Sequence, residues 1–369
     1  MKKRAIVVAA VAATMAWTAQ AQDKWLIGES APLTGGNAKF GQDIRDGAHA
    51  YFAAVNARGG VQGKPIELVT LDDKNDRKTA GANTRVLLEK NVLALFGYAS
   101  ATLSLDALPQ AEAKGVPFFA PFSGANPVRV NNPVLFTIRA SYGDEMEKII
   151  NFWVSLGLKR VTVLHYDDEV GKQNLEIVAA YLKKISLQPQ ELAVKRNAKL
   201  GKAEMQALLA QQPQFMINTL LSGAAAQLQK ELTASGKMIP TSSLSFVGAD
   251  QYIEAAGPAS AGVSITQVVP NPSNTALPAV RECAADLQAA GVKPMNSTQL
   301  EACFAAKVLT EGMRRAKKPL TSRTLNESLA NLGTYDLGGY KVTFAPGAQH
   351  GSKYVELDMV TRDGKLSNR

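Results

Sequence analysis

The chain has 369 residues, 46% of them hydrophobic and 20% charged, with 41 Lys and Arg against 32 Asp and Glu. That composition excludes a disordered or fibrous chain and leaves room for about two domains. The net charge of +9 is dispersed: segments such as KNDRK and EAK mix signs and form no basic stripe, so nothing points to nucleic acid.

The opening MKKRAIVVAAVAATMAWTAQAQ reads as an export signal. Lys2, Lys3 and Arg4 form a basic start, and Ala5 to Trp17 is apolar but too short to span a bilayer. Ala19-Gln20-Ala21 is a small-x-small cleavage site, so residues 1–21 are expected to be removed. Loss of those three basic residues takes the net charge from +9 to +6. No cysteine sits at the junction and no second apolar run has membrane length, which predicts a soluble, exported product without a lipid anchor.

Strands and helices then alternate. KWLIGESAP reads as strand and turn, and FGQDIRDGAHAYFAAVNARGG as an amphipathic helix closed by Gly59-Gly60, with Ile44, Ala48, Tyr51, Phe52 and Val55 at helical spacing. PIELVTLDD, LALFG and VPFFAPF are further strands separated by helices. After FTIRAS the rhythm restarts: helix GDEMEKIINFWVSLG, strand RVTVLHY, helix GKQNLEIVAAYLKKI, extended QPQELAVKR, then strands QFMINTLL and SLSFVGA with helices between. SITQVVPNP reads as a crossover, followed by two helices that carry the cysteines. The tail GGYKVTFAPGAQHGSKYVELDMVTRDGKL reads as antiparallel strands around a Gly/Pro turn. Strands separated by helices imply βαβ units and parallel sheets covered on both faces, hence an α/β protein with two doubly wound lobes.

In such sheets ligands sit beyond the carboxyl ends of the strands. FGYASATLS, Phe96 to Ser104, occupies such a place: a strand ends and the next residues are small or hydroxylic, apart from Tyr98. Hydroxyls there cap a helix start, and uncapped amides beside them can seat an anion. FAPFSGA repeats the pattern with Phe122, Ser123 and Gly124. His49, His165 and His350 show no metal spacing, and there is no GxSxG nucleophile, phosphate loop or dinucleotide fingerprint. DDKND, Asp72 to Asp76, is explained by turn formation and capping. No enzyme, metal or cofactor is expected. Cys283 and Cys303, the only cysteines, read as a disulfide between two helices, with two separate buried thiols as the alternative.

The mature sequence resembles the periplasmic solute-binding proteins of ABC importers, in the branched-chain amino acid (Leu/Ile/Val-binding) family. The likeness is carried by SAPLTGGNAKFGQDIRDGAHAYFAAVNARGGVQGKPIELVTLDDKND, GYASATLS, GVPFFAPFSGA, VTVLHYDDEVGK and SFVGA. It implies a type I periplasmic-binding fold, two lobes joined by three crossovers and closing on a ligand. The crossovers are expected near Arg139, Gln267 to Pro270, and Tyr335 to Gly339. The first lobe would then be 22–139 with 268–336, and the second 140–267 with 337–369.

By the same resemblance, a ligand carboxylate would sit on Tyr98, Ala99, Ser100, Ala101 and Thr102 and on Phe122, Ser123 and Gly124, with Phe40 as an aromatic contact. Tyr142 and Phe246 would join from the second lobe. Where relatives place aromatics, this chain has Val170-Gly171 and Leu221; where they place an acid for an amino acid's ammonium, it has Ser245, with Asp250 five residues on. The implied function is periplasmic capture of a small carboxylate-bearing solute, amino acid or otherwise, by a monomer that delivers it to an inner-membrane ABC permease. A sensory module of the same fold, signalling to a membrane receptor, is the alternative.

Overall fold

The structure, a computed structural model, describes residues 24–35, 37–196 and 200–367; the expected signal segment 1–21 lies outside the described residues. Strand β1 (Trp25–Ala31) leads into α1 (Ala38–Ala57), β2 (Ile66–Asp72), α2 (Arg77–Glu89) and β3 (Ala94–Phe96). Short helices α3 (Ala101–Ser104) and α4 (Leu108–Lys114) precede β4 (Phe118–Phe119) and β5 (Leu135–Phe136). These strands form one parallel sheet in the order β2-β1-β3-β4-β5.

The chain then enters a second unit: α5 (Tyr142–Ser155), β6 (Val161–Tyr166), α6 (Glu169–Lys184), β7 (Gln190–Val194), α7 (Lys202–Ala210), β8 (Phe215–Asn218), α8 (Ser222–Ala234), β9 (Thr241–Ser243), α9 (Ala249–Ala256) and β10 (Ser264–Gln267). It returns to the first lobe through α10 (Pro278–Ala289), α11 (Ser297–Arg315), α12 (Ser322–Ala330) and a separate two-stranded sheet of β11 (Gly333–Asp336) and β12 (Lys341–Phe344). It ends in β13 (Glu356–Val360) and β14 (Leu366–Ser367). The second sheet runs β14-β13-β10-β9-β8-β6-β7, parallel except where β13 pairs antiparallel with β10 and β14.

Each lobe follows from its apolar spacing. The stripe Phe40, Ile44, Ala48, Tyr51, Phe52 and Val55 buries one face of α1 against the first sheet. α1 and α11 approach so closely that a Cβ on Gly47 would lie 2.2 Å from the Gln299 carbonyl oxygen, a contact only glycine permits. Cys283 on α10 and Cys303 on α11 are disulfide-bonded, with Cα atoms 6.1 Å apart. The Asp-rich turn is used for hydrogen bonding. Asp72 accepts from the Leu33 and Lys74 amides, Asp73 from Ser30 and the Asn75 amide, and Asp76 caps α2 through the Thr79 amide.

The chain passes between the sheets after Arg139, after Gln267, and a third time at 351–355. This last crossing corrects the expectation of one at Tyr335 to Gly339, which is instead the end of β11 and the turn into β12. Tyr340, Val342 and Phe344 are buried in the first core, with Phe344 packed edge-on to Phe119 and Phe136. Gln349 and His350 continue along the first lobe, the Thr137 amide donating to the Gln349 carbonyl and His350 bridging to Thr137. Residues 337–350 therefore pack with the first lobe. The two tail strands expected to pair around the Gly/Pro turn go to different sheets, because β12 finds β11 and β13 finds β10. The Tyr340 hydroxyl lies 3.0 Å from the Ile138 carbonyl and 3.1 Å from that of Val268, tying the first two crossings together.

Candidate ligand-binding cleft

The carboxyl ends of both sheets face each other across a cavity of about 210 Å³. On the first lobe, Gly97 takes φ +70° and turns the chain out of β3. Ser100 then caps α3, its hydroxyl accepting from the Leu103 amide at 3.2 Å and its carbonyl from the Ser104 amide at 3.1 Å. A helix start leaves four amides without helical partners. The Ser104 bond is the first of the helix itself, so Ser100 takes one of these four, that of Leu103, and Ala101 and Thr102 line the cavity wall. Ala99, Ser100, Ala101, Thr102 and Leu103 all line it, joined by Phe122, Ser123 and Ala125 beyond β4, and by Asn37, Phe40 and Asn75.

The second lobe contributes Tyr142 and Phe246, whose rings meet at 5.1 Å, with Tyr166, Val170, Gly171, Asn174, Arg196, Thr219 and Leu221. Ser123 Oγ lies 3.2 Å from the Tyr142 hydroxyl and accepts from the Ala125 amide, so the two lobes touch at the cavity edge. Phe40 and Phe122 form an edge-on pair 6.2 Å apart.

Of the residues expected at the ligand, Phe40, Ala99, Ser100, Ala101, Thr102, Phe122, Ser123, Tyr142, Val170, Leu221 and Phe246 share this wall. Four do not. Tyr98 is 1% exposed, packs on Phe118 at 4.8 Å and bonds its hydroxyl to Thr84 at 2.7 Å, because alternation along the strand end turns it into the opposite core. Burial raises its phenol pKa. Gly124 is buried against Tyr142 and is the spacer for that contact: a Cβ there would lie 2.6 Å from the Tyr142 ring. Ser245 lies past the end of β9, which is shorter than SLSFVGA suggests. Its amide and hydroxyl donate to Glu145 at 2.8 and 3.0 Å, and its oxygen accepts from Arg139. Asp250 sits exposed on the first turn of α9, away from the wall.

Asn37, Asn75, Tyr166, Asn174, Arg196 and Thr219 were not expected. Tyr166 ends β6 and Thr219 follows β8, so the carboxyl-end rule could have found both. Arg196, in the loop after β7, carries no sequence signal. Its guanidinium lies 4.0 Å over the Tyr166 ring, with Nη2 2.7 Å from Asp168. Asp168 also caps α6 through the Gly171 amide at 2.9 Å.

Behind the cavity, Arg139 is 2% exposed and lies 3.8 Å from Glu145 of α5 and 3.6 Å from Glu301 of α11. Burial alone would lower its pKa; Glu301 and Glu145 more than offset that and hold the guanidinium charged. Burial pushes the Glu301 carboxyl up to about 7. Among the described residues no cluster of His, Cys, Asp and Glu is arranged to hold a metal, and no helix is long and apolar enough to cross a membrane.

Two sheets covered by helices, three crossings and a cleft between carboxyl ends define the two-lobed fold of type I periplasmic binding proteins. A family model described as periplasmic binding protein matches residues 24–365, and the chain belongs to that family. Its similar proteins include relatives named for Leu/Ile/Val binding. It is 25% identical over 256 residues to the Leu/Ile/Val-binding protein homolog 2 of Brucella abortus, covering 68% of each chain. It is also 27% identical over 189 residues to an amino acid binding protein of Pseudomonas aeruginosa, a match that spans half the length of each. A substrate-binding periplasmic protein of Ralstonia solanacearum superposes with a TM-score of 0.86 at 30% identity, covering 93% of this chain and 99% of the other.

Proposed function

We propose that this chain is the solute-capturing component of an ABC importer. In this reading it is exported to the periplasm by residues 1–21, acts as a monomer, closes its lobes on a small carboxylate-bearing solute and hands it to an inner-membrane permease. The observation that carries the reading is a small cavity walled by both lobes, with aromatic rings on each side and hydrogen-bond donors from the first-lobe turns. At about 210 Å³ it is smaller than the range of about 300–1,000 Å³ usual for drug-sized ligands, which suits a short acid. Similarity to relatives named as amino acid and Leu/Ile/Val-binding proteins supports the same class.

Mechanistically, the Thr102 hydroxyl and the Ala101 and Thr102 amides hold the anionic end, with Ser123 closing the seat beside Tyr142. Charge-assisted hydrogen bonds of this kind contribute about 1.5–3 kcal/mol each when shielded from water. A ligand touching both lobes favours the closed arrangement by its differential contacts, a population shift about the crossings. The test is calorimetry on the mature protein with a panel of small acids, comparing wild type with Thr102→Val and Ser123→Ala. Each variant should bind about tenfold more weakly while melting as the parent does. Unchanged affinity in both removes the anchoring role.

A further inference from the structure

The charges around the cavity are lopsided. No Asp or Glu belongs to its wall among the described residues, and its one formal charge is the cation of Arg196. The acids on the framing elements are committed elsewhere. Asp168 is held between Arg196 and the start of α6, and Asp144 is locked in the capping box with Ser141. Glu145 points behind the wall and accepts from Ser245, Thr266 and the Ser245 amide. Asp250 is outside, on α9.

Resting on the carboxylate reading above, we propose that this cleft selects acids that lack an α-ammonium group, a carboxylate on a flat or branched apolar body. An ammonium brought between the lobes would lose its hydration with no carboxylate to replace it and would face Arg196 of like charge. The rings give it no shelter. The face of Tyr166 is occupied by Arg196, Tyr142 and Phe246 lean on each other, and Phe40 meets Phe122 edge-on. The same rings, with Val170 and Leu221, suit the uncharged body of an aryl or branched aliphatic acid.

The experiment pairs ligands that differ only in the amino group: hydrocinnamate against L-phenylalanine and isocaproate against L-leucine, with glycine betaine, a zwitterion whose ammonium is quaternary, as a control. All are titrated calorimetrically into the full mature protein, with thermal shift as a second readout. The expected result is that each deaminated acid binds at least about 100-fold tighter than its amino acid, a difference worth about 2.8 kcal/mol, and that glycine betaine gives no shift. Amino acids binding equally well or better, or tight binding of the betaine, overturns the selectivity while leaving the carboxylate reading standing. No response to any acid from a protein that melts cooperatively overturns both.

Discussion

Glu29 shows how much of a residue's behaviour here is set by what surrounds it. It sits in β1, fully buried, with Thr70 donating to Oε2 at 2.6 Å and Oε1 without a partner. Desolvation by burial pushes its carboxyl up to about 8 from 4.5, so the folded protein keeps this proton over a range where the unfolded chain releases it. The sign follows: stability contributed by the neutral form is fully present below pH 4.5 and declines as pH rises to about 8. Glu29→Gln keeps the shape without the proton and should flatten that decline; urea titrations of both proteins across the window measure it. An identical slope in the variant would move the origin to the other buried acids, Asp73 and Glu301, which burial also raises. Ser100 and Tyr98 make the contrast within one turn: the serine is both helix cap and cavity wall, while its neighbour two residues earlier serves the core.

The α10-α11 pair is the element-scale counterpart. Both helices bury their apolar faces in the first core, and the disulfide closes a loop with a sequence separation of 20. Constraining an unfolded loop of that length is worth about 3 kcal/mol in the chain-entropy picture. Replacing both Cys283 and Cys303 with Ser should therefore lower the melting temperature by several degrees and leave ligand affinity unchanged, since neither helix reaches the cavity wall. Reduced affinity at temperatures where the variant is fully folded would contradict that separation. The β11-β12 hairpin belongs to the same scale. Asp336 accepts from the amides of Gly338 and Gly339, both at positive φ, and this tight turn keeps the strands in the first lobe.

At the scale of the whole molecule, contacts that couple the lobes include the Ser123–Tyr142 contact, the Arg139 cluster and a bond at the rim. In the last, Gln251 of α9 donates to Asp43 of α1 at 3.0 Å, while Gln299 of α11 holds the other oxygen of Asp43 at 2.9 Å. Asp43 is 1% exposed and keeps Lys39 and Gln299 whatever α9 does. Gln251→Ala should therefore leave the first lobe intact and bias the hinge toward opening. Affinity is expected to fall about five- to tenfold, mainly through faster release, and X-ray scattering should report a larger radius of gyration. Wild-type affinity and dimensions in this variant would show that the rim bond follows closure without favouring it.

The alternation of strands and helices, the two lobes and the hydroxyl-rich turns at 99–102 and 122–124 at strand carboxyl ends were legible in the residues themselves, while the cleft between the lobes came only from the family resemblance; the first three share one cause. They depend on apolar periodicity and local turn chemistry, which neighbouring residues determine. What tertiary structure alone decided depends on contacts between distant segments. The hairpin at 333–344 stayed with the first lobe because Tyr340 and Phe344 found its core. Tyr98 turned inward because Thr84 and Phe118 receive it, and Ser245 turned back because Glu145 and Arg139 wait behind the wall. Arg196 entered the cleft from a loop with no pattern of its own, brought there by the Tyr166 ring and Asp168. No local rule places a side chain whose partners lie tens or hundreds of residues away, since only packing brings them together.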